Sequence, residues 1–358
     1  MSLYKLERAV DRLPGKARSP AHVEALRTAA GKRLSAEERS FLLDHYQKES
    51  ALYAPKARKR LAELAGFEPS SPKNSDPPKF SIESRHFTKI AEQSALVYVP
   101  ALQGFLAVDD ESSSLHLIRR SALEKGGAVK SVALEIPGPK LDDLEGVAFD
   151  PDHSRVLLVT EGGRKVYEVS LALVNGEIEL GAAKKLGKLE KLGSEKNRGY
   201  EGLCYLPASL APDGRAHLLA VHEGAPKRLG IFDPKTLEPR GFLALPSPLA
   251  SVLKDLSDVA IDPKTGHLAL LSDEGNHIGF VALEHSKSSK PHQVRTKNKQ
   301  GGFSLRPLSL LELPELDLKR ARKDATRLQP EGVTFDAAGD LWVSAEGDRS
   351  MIRFLRKP

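Results

Sequence analysis

Acidic residues recur in this chain at the head of short apolar strands. The first copy is Leu144-Glu145-Gly146-Val147-Ala148-Phe149-Asp150, and the second is Tyr200-Glu201-Gly202-Leu203-Cys204-Tyr205. Leu256-Ser257-Asp258-Val259-Ala260-Ile261-Asp262 and Pro330-Glu331-Gly332-Val333-Thr334-Phe335-Asp336 follow the same pattern. A second column of acids ends the apolar run that follows each copy, at Glu161, Glu223, Glu274 and Glu346, with Glu111 in a weaker leading copy. Carboxylates gathered in one place must be protonated, paired with cations or neutralised by a metal. Oxygen donors without a histidine in the motif suit a hard ion, and their number and flexibility favour Ca²⁺ over Zn²⁺. Glu145, Glu201, Asp258 and Glu331 are therefore the expected metal ligands. Glu161, Glu223, Glu274 and Glu346 are expected to surround them. The same acids could instead cap backbone N–H groups. The second column could be salt-bridged by Arg164, Arg349 and His277, each three residues further on.

Other chemistry is thinly represented. His222, beside Glu223, is the leading acid–base candidate if the site hydrolyses anything, although a strand-end histidine bonded to a neighbour reads the same way. Tyr200 lines either the pocket or the core. No Gly-x-Ser-x-Gly elbow, phosphate-binding glycine loop, His-Glu-x-x-His or Cys-x-x-Cys occurs, which leaves nucleophilic serine catalysis and structural zinc without support.

The elements that must position these acids follow from the turns between them. Asp150-Pro151-Asp152-His153, Ala211-Pro212-Asp213-Gly214, Asp262-Pro263-Lys264-Thr265-Gly266 and Asp336-Ala337-Ala338-Gly339-Asp340 are tight hairpin sequences. An antiparallel hairpin sets the start of its first strand beside the end of its second. Both acid columns then emerge on one face, opposite the turns. With Ser94 as the head of a fifth copy, starts near 94, 144, 200, 256 and 330 leave room for four strands per repeat, the blade of a β-propeller. Only about three strands follow Pro330, so Ser81 to Ala91 is expected to supply the fourth and close the ring. The expected fold is an all-β propeller of five blades over residues 80–358. Six blades are the alternative if the 74-residue interval before Pro330 hides another, and an open sandwich is less favoured. First strands line a propeller's channel, so the inner acids would ring one mouth.

Residues 1–67 read as a small all-α N-terminal extension. Ser19-Pro20 and Ser35-Ala36-Glu37-Glu38 are helix starts, and Gly66 is a stop. Residues 68–79 form a Pro/Ser/Lys linker. The net charge of +6 resides in residues 1–75, where 15 Lys/Arg face 9 Asp/Glu, leaving 39 of each sign elsewhere. The high pI is thus no argument that the main domain binds nucleic acid. Lys287, Lys290, Arg295, Lys297 and Lys299 lie in an insertion over 285–302 that lacks interleaved aromatics, and it reads as a solvated loop. The single cysteine, Cys204, excludes an internal disulfide. Neither a signal peptide nor an apolar stretch long enough to span a membrane is visible, and a soluble cytoplasmic protein is expected.

The Leu-Glu-Gly-Val-Ala-Phe, Tyr-Glu-Gly-Leu, Leu-Ser-Asp-Val-Ala-Ile-Asp and Pro-Glu-Gly-Val-Thr-Phe-Asp segments together resemble the SdiA-regulated family of bacterial β-propellers. The resemblance covers about residues 85–356. More distantly the pattern is similar to NHL-repeat, esterase-like phytase and gluconolactonase-type propellers. The family resemblance implies a five-bladed ring with a calcium site and no settled reaction. Its members often carry an anchoring or export segment, which is not apparent here. The expectation is a calcium-binding propeller, either a metal-dependent hydrolase of ester, lactone or phosphoester bonds or a non-catalytic interaction scaffold. Its partner is then a small-molecule substrate or another protein.

Overall fold

The computed structural model describes residues 78–110, 112–124, 129–161, 163–192, 199–224, 227–286, 302–315, 317 and 325–357. The helical extension over 1–67 and nearly all of the linker lie outside these residues, as does the interior of the basic insertion.

Five antiparallel sheets are arranged as the blades of a propeller. Blade one is β2 (Gln93–Val99), β3 (Gly104–Asp109), β4 (Ser114–Arg119) and β5 (Val132–Glu135). Blade two is β6 (Leu144–Asp150), β7 (Arg155–Thr160), β8 (Lys165–Val174) and β10 (Lys184–Lys188), with β9 (Glu177–Leu180) extending β8 as a hairpin. Blade three is β11 (Tyr200–Leu206), β12 (His217–His222), β13 (Arg228–Phe232) and β14 (Pro239–Ala244). Blade four is β15 (Asp258–Ile261), β16 (Leu268–Ser272), β17 (His277–Ser286) and β18 (Gly302–Glu312). Blade five joins β19 (Pro330–Phe335), β20 (Leu341–Ala345) and β21 (Ser350–Arg356) to β1 (Phe80–Phe87), the strand from the other end of the domain. Phe80 stands opposite Arg356 and Phe87 opposite Ser350, so the ring closes as the missing fourth strand required. The long interval before Pro330 holds a lengthened β17–β18 hairpin, which pairs as far as Ser286 and Gly302. Five blades, and not six, follow.

Packing explains why each repeat reads as it does. The second strands β3, β7, β12, β16 and β20 are buried at every residue. That is why they are continuous apolar runs rather than alternating ones. Each blade meets the next across its own hydrophobic cluster of described residues. The innermost strands neighbour one another in the order β2, β6, β11, β15, β19 and back to β2. They pass so closely that a Cβ on Gly202 would lie 2.4 Å from the Asp258 Cα, and one on Gly146 would lie 2.7 Å from the Glu201 carbonyl oxygen. The glycine after the acid is therefore a requirement of ring closure.

The hairpin turns that begin with Asp do structural work on the opposite face. Asp150, Asp262 and Asp336 each accept the backbone N–H two residues on, at 2.8–3.0 Å. Arg120 of blade one pairs with Asp336 of blade five at 2.9 Å, and Arg356 of blade five pairs with Asp262 of blade four. Tyr205 of blade three donates to Asp152 of blade two at 2.7 Å. These bonds lace neighbouring blades on the side away from the acids.

Candidate functional site

A β-bulge at the start of the innermost strand aims each acid. Pairing slips between Leu144 and Gly146, Tyr200 and Gly202, Pro330 and Gly332, and Gln93 and Ala95. The skipped residues are Glu145, Glu201, Glu331 and Ser94, and a skipped residue is turned out of the ladder. The residue after each second strand is fixed by a recurring backbone bond. Glu161 N–H donates to Asp143 O at 3.1 Å, Glu223 to Gly199 O at 3.1 Å, Asp110 to Glu92 O at 3.3 Å and Glu346 to Gln329 O at 2.9 Å. Asp143 and Gln329 adopt positive φ, at 65° and 52°, to make that approach.

The result is a cavity of about 200 Å³ at one mouth of the channel. Three of its walls are the inner acids Glu145, Glu201 and Glu331, completed by Ser94 and Ser257. Asp110, Glu161, Glu223, Asp273 and Glu346 form the outer circle, and Glu92 and Asp255 contribute from the preceding loops. Ten carboxylates and two serines thus line it, and among the described residues no lysine, arginine or histidine does. Three triads bring one oxygen from each member within 4.8 Å of the others: Asp143, Glu145 and Glu161; Glu161, Glu201 and Glu223; Glu223, Asp255 and Glu274. Glu161 and Glu223 are each shared between two triads, so the groups form a continuous arc.

Crowding and burial raise the proton affinity of five of these acids. The Glu145 carboxyl is pushed up to about 8 by burial and by Asp143, Glu161 and Asp110, against a hydrogen bond from Ser94. Glu201 is raised well above the ordinary value by burial, Glu145, Glu161 and Glu223. Glu331 is raised likewise by burial, Asp273, Glu346 and the other two inner acids. Burial and Asp143 raise Glu161. Asp273 reaches about 6 through burial, even though Arg327 sits 2.6 Å from its Oδ2. Its Oδ1 is buried without a hydrogen-bond partner.

Three expected positions shift by one residue. Asp258 does not line the cavity. It stands in the glycine column and is 1% exposed. Its Oδ1 accepts Val259 N–H at 2.7 Å and its Oδ2 accepts Val333 N–H at 2.8 Å, tying blade four to blade five. Ser257 takes the acid's place. Glu274 is exposed at the rim, while Asp273 is the counterpart of Glu161 in register. Glu111 lies outside the described residues, and Asp110 occupies its expected place. A one-residue slip in a strand reverses the side chain's face, so each shift changes a residue's role. His222 is set aside for the same reason. It is 3% exposed, its Nδ1 is 3.1 Å from Gly224 O, and its ring stands edge-on to Tyr200, away from the cavity lining. Tyr200 is buried and donates its hydroxyl to Glu190 O at 3.0 Å, which makes it a core residue. His277 Nδ1 contacts Gly275 O, and Arg164 leaves Nη1 buried without a partner. Glu92, Asp143 and Asp255 were missed, although the column two residues before each inner position carries them.

Among the described residues no helix is long and apolar enough to cross a membrane. Solved structures similar to this chain include a structural-genomics protein of unknown function from Bacteroides thetaiotaomicron (13% identity, TM-score 0.42, covering 73% of this chain and 58% of that one). A nidogen/laminin complex matches at 12% identity and TM-score 0.41, covering 72% of this chain and 73% of its own. A putative oxidoreductase (glucose dehydrogenase) from Thermus thermophilus matches at 13% identity and TM-score 0.42, covering 78% of this chain and 100% of its own. This chain therefore spans 58% of the length of the first of them. No curated protein matches it. The sequence model of the SdiA-regulated family matches residues 75–297, well over half of the chain, and the protein belongs to that family.

Proposed function

We propose that the acidic mouth is a Ca²⁺ site and the functional centre of the protein, serving hydrolysis of an ester, lactone or phosphoester bond. The observation that carries this reading is the cavity itself, ten carboxylates and two serines with no basic side chain lining it among the described residues. The donor set fits a hard cation. It offers oxygen only, in the excess that a six- to eight-coordinate ion draws on, and no nitrogen or sulfur ligand that would favour zinc or copper. The unpartnered Asp273 Oδ1 adds a buried acceptor that a cation would satisfy. Asp143, Glu145, Glu161, Glu201 and Glu223, which make up two of the triads, are the residues that would hold the ion. Bound there, Ca²⁺ supplies a Lewis acid for a substrate oxygen. The protein's part is to hold the carboxylates in a closed ring and to admit anionic substrates only once the ion offsets the ring's charge.

A second reading rests on a specific feature. No histidine, lysine or cysteine lines the cavity among the described residues, so the ion could serve only to staple the blades beneath a protein-binding face. Melting curves in Ca²⁺ and in chelator, on the wild type and on Glu201→Gln, test the site. A panel of esters, lactones and phosphoesters then separates the readings. Ca²⁺-dependent turnover lost in Glu201→Gln supports the hydrolase. Ca²⁺-dependent stability without turnover supports the staple. Identical melting in all conditions refutes both.

A further inference from the structure

The other mouth of the channel is built from the same strands with opposite chemistry. Position six of four innermost strands, and the last residue of the shorter β15, place Tyr98, Phe149, Tyr205, Phe335 and Ile261 around a cavity of about 220 Å³. Four of these five positions are aromatic, in a chain with 6% aromatic residues. Every blade supplies the same columns, so the cavity is a product of the repeat and not a packing fault at one interface. It shares no lining residue with the acidic mouth. Buried aliphatic side chains, Leu203, Val259 and Val333 among them, also line it.

Polar atoms at this mouth are already engaged. Tyr205 donates its hydroxyl to Asp152 at 2.7 Å, and Thr334 Oγ1 accepts Tyr98 N–H at 3.1 Å. Asp336 Oδ2 accepts the Trp342 indole N–H at 3.0 Å and faces Arg120 at 2.9 Å. A water here finds few of the two to four partners it requires, and the one carboxylate of the lining, Asp336, is already paired with Arg120. Apolar walls of this kind around about 150 Å³ accept benzene. The volume here suits a somewhat larger ring, and aromatic edges favour stacked or edge-on contact with it.

We propose that the turn-side mouth is a binding site for a small uncharged aromatic molecule, or for the aromatic group of a larger one. The site is separate from the acidic mouth and independent of any cation there.

The test uses the full-length protein, with indole as the probe and benzoate as the charged control. Calorimetry is expected to show saturable binding of one indole per chain, unchanged by chelator, and none of benzoate. Ala260→Leu adds bulk to a lining position and should weaken indole binding at least tenfold. If that variant does not fold, Tyr98→Ala removes a ring from a half-buried lining position and should weaken binding by a similar factor. Indole that fails to saturate, binds no better than benzoate, or binds equally to a folded Ala260→Leu or Tyr98→Ala protein overturns the proposal.

Discussion

Removing one inner carboxylate should change stability in opposite directions with and without calcium. Glu145 has an ordinary value of 4.5 and is held at about 8 in the folded chain. At pH 7 it must therefore take up a proton on folding. That costs about 1.4 kcal/mol for each unit between 4.5 and 7, on the order of 3 kcal/mol. The glutamine in Glu145→Gln is uncharged in both states and escapes this cost, though its amide must find new partners in an acidic cavity. A net gain of about 1–3 kcal/mol is expected in chelator, read as a melting temperature about 2–6 °C higher. Saturating Ca²⁺ reverses the order. At one thousand times the Kd, the wild type gains about 4.1 kcal/mol by mass action, more than the variant's advantage, and the variant forgoes most of it. Differential scanning calorimetry of both proteins at pH 7, in chelator and in Ca²⁺, measures all four values. A variant less stable than wild type in both conditions would refute the reasoning, because it would make Glu145 a structural acid whose charge the fold requires.

The pH dependence carries the same sign. A carboxyl raised in the folded state contributes stability that is full below about 4.5 and lost as pH rises toward 8, so chelated wild type should melt progressively lower over that window. Calcium affinity should rise over pH 6–8, as Asp273 and then Glu145 lose their protons to solvent, which titration calorimetry at several pH values would show. Asp258→Ala should cost about 2–4 kcal/mol, because Val259 and Val333 N–H groups are left buried without an acceptor. Its calcium response should persist if the protein folds, whereas loss of the response in a folded variant would return Asp258 to the site. Gly202→Ala forces a Cβ to 2.4 Å from the Asp258 Cα and should cost more than ~3 kcal/mol; wild-type melting would show that the innermost strands are less tightly packed than described. Deleting residues 1–87 removes β1 and should leave β21 as an open edge, with aggregation the expected readout by light scattering.

The propeller was legible because its second strands are buried on both faces and must be apolar throughout, which makes each blade stand out between polar turns. Closure was legible because blade five was one strand short and Ser81 to Ala91 was spare; β1 (Phe80–Phe87) fills the gap. The acid column was legible only where a glycine followed the acid. Ser257-Asp258 has the acid in the glycine's place, and a reading that seeks carboxylates chooses Asp258 over the serine that is in frame. Asp273-Glu274 poses the same choice at a strand end, and the register with Ile278 and Leu271 settles it. His222 adjoins Glu223, but neighbouring residues at a strand end face opposite ways, so proximity along the chain did not place it in the cavity. The acids at 92, 143 and 255 share one offset before the inner column, but Gly199 and Gln329 interrupt that pattern and no strand alternation marks it.

The central claim is that the ring of carboxylates holds calcium. Equilibrium dialysis of chelator-treated protein against Ca²⁺, with Mg²⁺ in competition and Glu201→Gln alongside, tests it most directly. Saturable Ca²⁺ binding that Mg²⁺ displaces poorly and Glu201→Gln loses is the predicted result. No saturable Ca²⁺ binding, or equal binding by the folded Glu201→Gln protein, would contradict it.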